Sequence, residues 1–257
     1  YAEHNGVKVN LLDTPGYLDF TGEALSAVRV ADAAIIVVSA TSGIEVGTER
    51  VWEYCEARGI PRIIFVSMMD KEHADFDGVF QQIKKLTDSA LPVEIPIGEG
   101  PAFEGIINLF SEKAHIYKKG TTKGEYDEGP IPEDLQDKGA EWETELQETL
   151  ATTDEDLLET YLESGRISRE EAIDAMSGGM ARNDIFPVFC GAAPLTYGMK
   201  ALLNKLVELC PSPAESKAEI VSDQELVADD NGPLAALVFK TAAEPHIGEL
   251  SYFRIFS

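Results

Sequence analysis

The sequence predicts an α/β fold: a doubly wound, mainly parallel sheet with an α+β insertion, followed by a β-rich segment. Apolar runs of strand length alternate with amphipathic runs of helix length, which is typical of parallel strands with helices on both faces of the sheet. Residues 33–39 and 62–67 are almost continuously apolar, as expected of buried parallel strands. In residues 75–86 the apolar side chains recur every three or four positions, as expected of an amphipathic helix.

The remaining elements of the main sheet follow the same alternation. The predicted strands are residues 7–12, 33–39, 62–67 and 185–190, with 92–97 as a further candidate. The predicted helices are residues 17–30, 46–58, 75–86 and 199–209. Because proline cannot donate to a strand ladder, Pro187 predicts an edge or irregular position for the last strand. The pair Asn5-Gly6, between two potential strands, is a strong hairpin signal.

The pattern changes over residues 99–182, which we interpret as an insertion into the first domain. Residues 105–108 and 114–117 are predicted as short antiparallel strands, and 118–132 as a polar segment rich in turns. Amphipathic helices are predicted at 133–152, 155–163 and 168–180. The last begins with Ser168 and has Glu171 three residues later, the form of a capping box. The acidic residues of these helices are interpreted as a solvated face rather than a metal site.

The chain therefore divides into four predicted parts. These are a first domain at 1–98 and 183–213, the inserted subdomain at 99–182, a linker at 214–231 and the start of a β-rich domain at 232–257. The last part contains predicted strands at 235–241 and 250–256. The chain starts at Tyr1 rather than methionine and ends within an apolar run, so we expect a fragment of a longer protein.

Composition and charge exclude several functional classes. Of the 257 residues, 44% are hydrophobic and 26% are charged, and no apolar run approaches the length of a membrane span. The formal net charge of −25 repels nucleic acid, so autonomous RNA or DNA binding is not expected. The 3 cysteines are widely spaced, which argues against a zinc site or a disulfide framework. Without a secretory leader pattern, reduced thiols in the cytoplasm are the simplest interpretation.

The candidate functional residues lie in three loops, each of which follows a predicted strand. Ligands of doubly wound sheets bind beyond the carboxyl ends of the strands, so we expect the loops bearing Asp13, Asp70 and Ala193 to converge on one rim. An aspartate can orient water on Mg²⁺, a glycine N–H can meet a phosphate oxygen, and a second aspartate can accept two N–H groups from guanine. Each residue also has a plain interpretation as a cap or turn residue. The loops are Asp13-Thr14-Pro15-Gly16, Ser67-Met68-Met69-Asp70 and Gly191-Ala192-Ala193.

The order of these motifs resembles that of the translational GTPases, and of elongation factor G in particular. The resemblance rests on D-T-P-G followed by Y-L-D-F, on S-G-I-E and E-R-V-W, on R-I-I-F-V before Asp70, and on G-I-I-N-L and E-T-Y-L in the insertion. Residues 232–256 resemble the opening of that factor's second domain, a β-barrel. The resemblance covers essentially the whole chain. It implies a P-loop-GTPase-type sheet, followed by the start of the barrel.

On the phosphate side, the resemblance implies roles for the first loop. Asp13 would hold a Mg²⁺-bound water, and Gly16, with Thr14 and Pro15 before it, would contact the γ-phosphate. Tyr17 stands where the family's elongation factor has a histidine that positions the attacking water, so it is the candidate catalytic residue. The family's G-x-x-x-x-G-K-[S/T] loop and switch I threonine lie upstream of this motif and are absent from the sequence.

On the base side, the resemblance makes Asp70 the reader of the guanine N–H groups. The family's N-K-x-D motif appears here as Ser67, Met68, Met69 and Asp70, so its asparagine and lysine are missing. The segment that would flank the base is Gly191-Ala192-Ala193, in which Ala192 replaces the usual serine. Guanine specificity is therefore expected to be less strict than in the family.

These observations predict a fragment of an elongation factor G-like GTPase. The parent is expected to bind GTP or GDP with Mg²⁺ and to hydrolyse GTP as a conformational switch in ribosomal translation, with the ribosome as partner. The fragment alone, without the phosphate-binding loop, is expected to bind no cofactor and to be inactive. The alternative is a catalytically weak or inactive binding module that keeps the factor's shape and acts through partner surfaces.

Overall fold

The structure is a computed structural model that describes residues 1–221, 224–229, 231–244, 246 and 248–257. Its strands are β1 (Ala2–His4), β2 (Val7–Val9), β3 (Ala34–Ser39), β4 (Arg62–Ser67), β5 (Ala90–Pro92), β6 (Glu94–Ile97), β7 (Gly105–Asn108), β8 (Lys113–Tyr117), β9 (Tyr126–Gly129), β10 (Phe186–Cys190), β11 (Glu219–Val221), β12 (Gln224–Leu226), β13 (Ala236–Glu244) and β14 (Gly248–Ile255). Its α-helices are α1 (Thr21–Val28), α2 (Val46–Arg58), α3 (Phe76–Leu86), α4 (Gln136–Ala151), α5 (Glu155–Ser164), α6 (Arg169–Ala181) and α7 (Met199–Leu209).

The centre of the fold is a parallel sheet with the strand order β3-β4-β10-β5. Strand β4 is buried from Arg62 to Val66, as its continuous apolar sequence predicts. Helix α2 ends where Gly59 adopts a left-handed conformation with φ 64°, a backbone state that glycine enters without steric cost. Helix α3 begins after Asp75, whose side chain accepts a 2.8 Å hydrogen bond from the N–H of Gly78. The predicted α/β class with a mainly parallel sheet is confirmed.

A second, antiparallel sheet has the order β6-β7-β8-β9, of which β7, β8 and β9 lie within the predicted insertion, and the helices α4, α5 and α6 follow it. Val93 joins the two sheets, because its N–H donates to Val188 and its carbonyl accepts from Leu109, both at 3.1 Å. The capping box of α6 is formed as predicted: Ser168 accepts from the N–H of Glu171, and the Glu171 side chain accepts from the N–H of Ser168. The insertion thus continues directly from the edge of the central sheet.

The remaining strands form two-stranded pairs outside these sheets. β1 and β2 form the predicted hairpin, with Asn5 at φ 49° and Gly6 at φ 78° in the turn. β13 pairs antiparallel with β14, from Ala236 opposite Ile255 to Glu244 opposite Gly248, and this pair corresponds to the expected start of a β-barrel. Within the described ranges, none of the helices is long and apolar enough to cross a lipid bilayer.

Four sequence predictions for individual elements were wrong. The first strand ends at Val9 rather than at residue 12, and the next helix begins at Thr21, after a short 3₁₀ turn at Leu18–Phe20. The polar segment 118–132 contains β9, whose residues are held by pairing with β8. The pair β11–β12 lies within 214–231, whose assignment as a linker stays a prediction, and residues 222, 223 and 230 lie outside the described part. The proposed divisions of the chain into domains stay predictions, and residues 245 and 247 of the last one are also undescribed.

The fourth correction concerns Pro187. β10 is an inner strand, between β4 and β5, rather than an edge strand. Pro187 pairs with Leu91 of β5, and the pairing of β10 with β4 begins one residue later, at Val188 opposite Ile64. The missing N–H therefore lies at the start of the strand, before the ladder to β4, where proline is tolerated.

Candidate functional site

The loop after β4 is held against the loop after β10 by main-chain hydrogen bonds. The N–H of Met69 donates to the carbonyl of Gly191 at 3.1 Å, and the N–H of Gly191 donates to Val66 at 2.9 Å. Met69 is fully buried, whereas the preceding Met68 is 45% exposed and has φ 65°. The left-handed backbone at Met68 turns the chain at this point. Two of the three predicted loops therefore form one continuous structure at the carboxyl end of the sheet.

The Asp70 carboxylate is only partly satisfied by its surroundings. Its side chain is 15% exposed, and Oδ2 lies 3.1 Å from the Lys71 ammonium. Its Oδ1 is buried and has no hydrogen-bond partner among the described residues. The Lys71 side chain is 52% exposed, so this ion pair contributes little. A buried carboxylate oxygen without a donor is costly, and a ligand that supplies an N–H would remove that cost.

Gly191 is the one residue of the third loop that no other amino acid can replace without movement. A Cβ at this position would lie 2.4 Å from the carbonyl oxygen of Tyr197 and 2.8 Å from the Phe65 ring. Ala192 and Tyr197 bond to each other twice through their main chains, at 3.0 and 3.2 Å. These bonds close a short loop in which Ala193 is exposed. Ala193 begins a 3₁₀ turn, so its N–H has no partner within that turn and can face a ligand.

The Asp13–Tyr17 segment approaches the start of α2 and, among the described residues, is not hydrogen-bonded to the other two loops. A Cβ on Gly47, at the start of α2, would lie 3.1 Å from the carbonyl oxygen of Gly16. Among the described residues, no hydrogen bond or ion pair joins this segment to the loops of Asp70 and Ala193. Thr14 is half-buried, whereas Asp13, Pro15, Gly16 and Tyr17 are exposed. Tyr17 is 79% exposed.

The residues present therefore fit the base half of a nucleotide better than the phosphate half. The base half has the free Asp70 Oδ1, the close turn at Gly191 and the Ala193 N–H at the start of a 3₁₀ turn. On the phosphate side, Asp13 is an exposed, single carboxylate. In the described part of the chain no group of three or more His, Cys, Asp or Glu residues could hold a metal ion.

Other residues near the site were missed by the sequence analysis. Ser39, at the end of β3, bonds Thr41 at 2.9 Å between hydroxyls and lies 3.7 Å from the Met68 sulfur. Lys71 was missed as the partner of Asp70, although adjacency in the sequence was available as a signal. Tyr197 was missed because its role depends on a turn that brings it back onto Ala192, which no local pattern indicates.

Comparison with known proteins identifies the family. Residues 1–212 match the family model described as the elongation factor Tu GTP binding domain. The chain belongs to the translational GTPase family. This family assignment agrees with the resemblance found in the sequence motifs. The matched residues include the central sheet and the loops that follow its strands.

Similar proteins within this family include two curated elongation factors G. Elongation factor G of Thermotoga maritima is 40% identical over 259 aligned residues, which cover 98% of this chain and 37% of that protein. Elongation factor G of Thermotoga petrophila gives the same identity and coverage. A crystal structure of a Thermus thermophilus protein superposes with a TM-score of 0.85 at 33% identity, covering 98% of this chain and 36% of that one. The chain thus spans little more than a third of the length of these relatives. It is an elongation factor G-like GTPase domain followed by the first strands of the next domain.

Proposed function

We propose that this chain is the guanine-recognising part of a longer elongation factor G-like GTPase. The whole protein would bind GTP with Mg²⁺ and hydrolyse it to GDP and phosphate as a conformational switch in ribosomal translation, in the cytoplasm. The observation that carries this proposal is the buried Oδ1 of Asp70, which lacks a partner among the described residues and lies beside the loop of Gly191 and Ala193. The family match over residues 1–212 supplies the nucleotide class.

The chemistry of guanine fits the geometry at Asp70. Guanine presents two adjacent N–H donors on one edge, and a carboxylate is an acceptor only, so it favours guanine over adenine. The N–H of the exposed residue Ala193, at the start of a 3₁₀ turn, would donate to an acceptor on the same base. Met68, exposed by 45%, can cover a base face with its thioether, although it supplies no charge.

On the phosphate side, the proposed roles follow the family motif. Asp13 would orient a water on Mg²⁺, and the Thr14-Pro15-Gly16 turn would present a main-chain N–H to the γ-phosphate. When bound, Mg²⁺ supplies charge neutralisation to the phosphates. The exposed hydroxyl of Tyr17 can donate or accept one hydrogen bond to a water, but it has no imidazole chemistry near neutral pH. Ordering of this exposed segment by the γ-phosphate would provide the switch.

Calorimetry on the full-length protein with GDP and GTP, with and without ribosomes, tests this proposal. We expect guanine nucleotides to bind, and Asp70→Asn to shift preference from guanine to xanthine nucleotides, because an amide replaces an acceptor by a donor. The matched control is Asp75→Asn, which alters the nearby cap of α3 and leaves base preference unchanged. Absence of guanine-nucleotide binding, or an unchanged guanine-to-xanthine ratio in Asp70→Asn, would refute the proposed function.

The second candidate function is a binding module with little or no turnover. It is favoured by Tyr17 at the family's histidine position and by Ser67 and Met68 in the base motif. This binding module would have the same nucleotide site as the proposed enzyme but would hydrolyse GTP slowly or not at all. Binding of GTP without ribosome-stimulated release of phosphate by the full-length protein would favour this candidate over the enzyme.

A further inference from the structure

A tyrosine of the insertion stacks on a tyrosine of the base-side loop. The rings of Tyr117, on β8, and Tyr197 have centroids 4.5 Å apart and an interplanar angle of 15°. Both side chains belong to the buried core, each with 5% exposure. The Phe103 ring lies 6.1 Å from Tyr117 and 6.2 Å from Tyr197, tilted by 54° to each. The stack is therefore a packed contact between the insertion and the site, and a ring pair of this kind stabilises a contact beyond the area that it buries.

Tyr197 connects this stack to the candidate site through its main chain. Its two hydrogen bonds with Ala192 close the loop that exposes Ala193. The next residue back, Gly191, accepts the N–H of Met69, the neighbour of Asp70. A displacement of the Tyr197 ring would thus move the main-chain positions on both sides of the proposed base.

The same hairpin of the insertion makes a second contact with this loop. Gly124 lies between β8 and β9 with φ +61°, and a Cβ there would lie 2.3 Å from the carbonyl oxygen of Thr196. A substitution at Gly124 is therefore opposed by both its backbone conformation and its neighbour. The segment that carries Gly124 is closed by the N–H of Lys118, which donates to Glu125 at 2.8 Å.

The Tyr117 ring, rather than its hydroxyl, makes the contact. The hydroxyl oxygen is buried, and the Gly198 main chain beside it favours the ionised phenol but forms no hydrogen bond of normal geometry with it. Burial, together with the nearby Glu94 carboxylate, raises the pKa of Tyr117 well above its ordinary value, so the phenol stays neutral. A phenylalanine would keep the stack and remove an unsatisfied group, which makes Tyr117→Phe the conservative variant of choice.

From these contacts we infer that the β8–β9 hairpin of the insertion is a clamp on the nucleotide site. Tyr117 and Gly124 act as positioning residues that hold the loop of Ala192 and Tyr197 at the distance from Asp70 that a purine base requires. This inference rests on the proposed function, since it assigns a determinant of nucleotide affinity to residues that do not touch the nucleotide. The insertion would therefore influence nucleotide affinity without contacting the nucleotide.

The test measures GDP and GTP affinity, saturating hydrolysis rate and melting temperature of the full-length protein and four variants. We expect Tyr117→Leu and Gly124→Ala to weaken both nucleotides by about five- to tenfold, the equivalent of one lost aromatic contact. The kcat at saturating GTP is expected to stay within about twofold, because the loop contributes equally to ground-state and transition-state binding. Tyr117→Phe is expected to bind like the wild type.

The matched control is Tyr161→Leu, which removes a half-buried tyrosine from α5 in the same insertion, away from the base-side loop. It is expected to lower the melting temperature without changing either affinity. If Tyr117→Leu keeps wild-type affinity, or if Tyr161→Leu loses as much, the clamp is refuted and the proposed function stands. If the wild-type protein does not bind guanine nucleotides, both are refuted.

Discussion

The guanidinium of Arg62 donates a 3.1 Å hydrogen bond to the side-chain oxygen of Asn183, a residue 121 positions further along the chain. Arg62 is 2% exposed and lies 4.2 Å from the Trp52 ring centroid and 4.4 Å from that of Phe186. Its Nε and Nη1 have no partners among the described residues, and burial lowers the pKa of Arg62. Asn183 therefore supplies the main hydrogen bond to a buried charge where the chain returns from the insertion to β10.

Replacement of Asn183 tests how much its hydrogen bond to Arg62 contributes to stability. The Asn183 amide also donates to the carbonyl of Gly59 at 3.2 Å, and its backbone has φ 62°. We expect Asn183→Ala to lower the free energy of unfolding by about 2–4 kcal/mol. The variant loses the hydrogen bonds of Asn183, one of them to a charged group, and alanine is strained in the left-handed backbone conformation. Asn183→Gly removes the strain and should cost about 1 kcal/mol less. Urea denaturation measures both, and a Gly variant as stable as the wild type would show that the hydrogen bonds contribute nothing.

A second expectation concerns Gly191. Because a Cβ would meet both the Tyr197 carbonyl and the Phe65 ring, Gly191→Ala should destabilise the chain by about 1–3 kcal/mol. The matched control is Gly22→Ala near the start of α1, where no heavy atom lies within 4 Å of the added Cβ. That variant should be neutral or slightly stabilising, since alanine favours the helix. Equal unfolding midpoints for the two variants in urea would contradict the close approach at Gly191.

The stability of the chain should depend on pH through Glu94. This side chain is fully buried on β6, and burial raises its pKa to about 8, with the charge of Lys205 opposing the shift. Both states are protonated below the ordinary value of 4.5, so no penalty applies there. As pH rises from 4.5 towards 8, the unfolded chain ionises while folded Glu94 stays neutral, so stability is lost across that window.

Glu94→Gln isolates this contribution from the general acidity of the chain. Each unit of pKa difference corresponds to about 1.4 kcal/mol, so we expect the variant to lose about 2–4 kcal/mol less stability than the wild type between pH 5 and pH 8. The measurement is urea denaturation at both pH values. The control is Glu104→Gln, an exposed carboxylate between β6 and β7, which should follow the wild-type profile. Parallel pH profiles for Glu94→Gln and the wild type would contradict the assignment.

The sequence predicted those elements whose signal is local. The bounds of α2, β4 and α7 match their predicted ranges because glycine, proline and apolar periodicity mark both ends. By contrast, β9 lies in a polar sequence and forms through pairing with β8, so its strand state depends on a partner rather than on its own residues. For Pro187 only the edge alternative was wrong, because the position of a proline relative to the neighbouring strand, rather than its presence, decides whether it is tolerated.

The candidate site was predictable to a similar degree. Asp70 and the loop of Gly191 and Ala193 follow strands that the sequence already indicates, and the structure joins them through Met69. The free Oδ1 of Asp70 and the contact between Tyr117 and Tyr197 required coordinates. These features arise from residues far apart in the sequence, and single-chain patterns carry no information on such pairs. The position of Asp13 relative to Asp70 remains a prediction.

Tyr17 offers the most direct test of the proposed catalytic role. Its side chain is 79% exposed and forms no hydrogen bond in the described part of the structure, so its hydroxyl is free to orient a water. If that is its role, Tyr17→Phe in the full-length protein should slow GTP hydrolysis by about tenfold or less, the effect of one positioned hydrogen bond. Tyr17→His should hydrolyse faster than the wild type, because an imidazole exchanges protons near neutral pH. Single-turnover hydrolysis with saturating ribosomes measures both rates.

The matched control is Tyr54→Phe, which removes the hydroxyl of a half-buried tyrosine on α2 and should leave the hydrolysis rate unchanged. Complete loss of hydrolysis in Tyr17→Phe would mean that the phenol does more than orient water, whereas an unchanged rate would remove it from the reaction and favour the binding-module alternative.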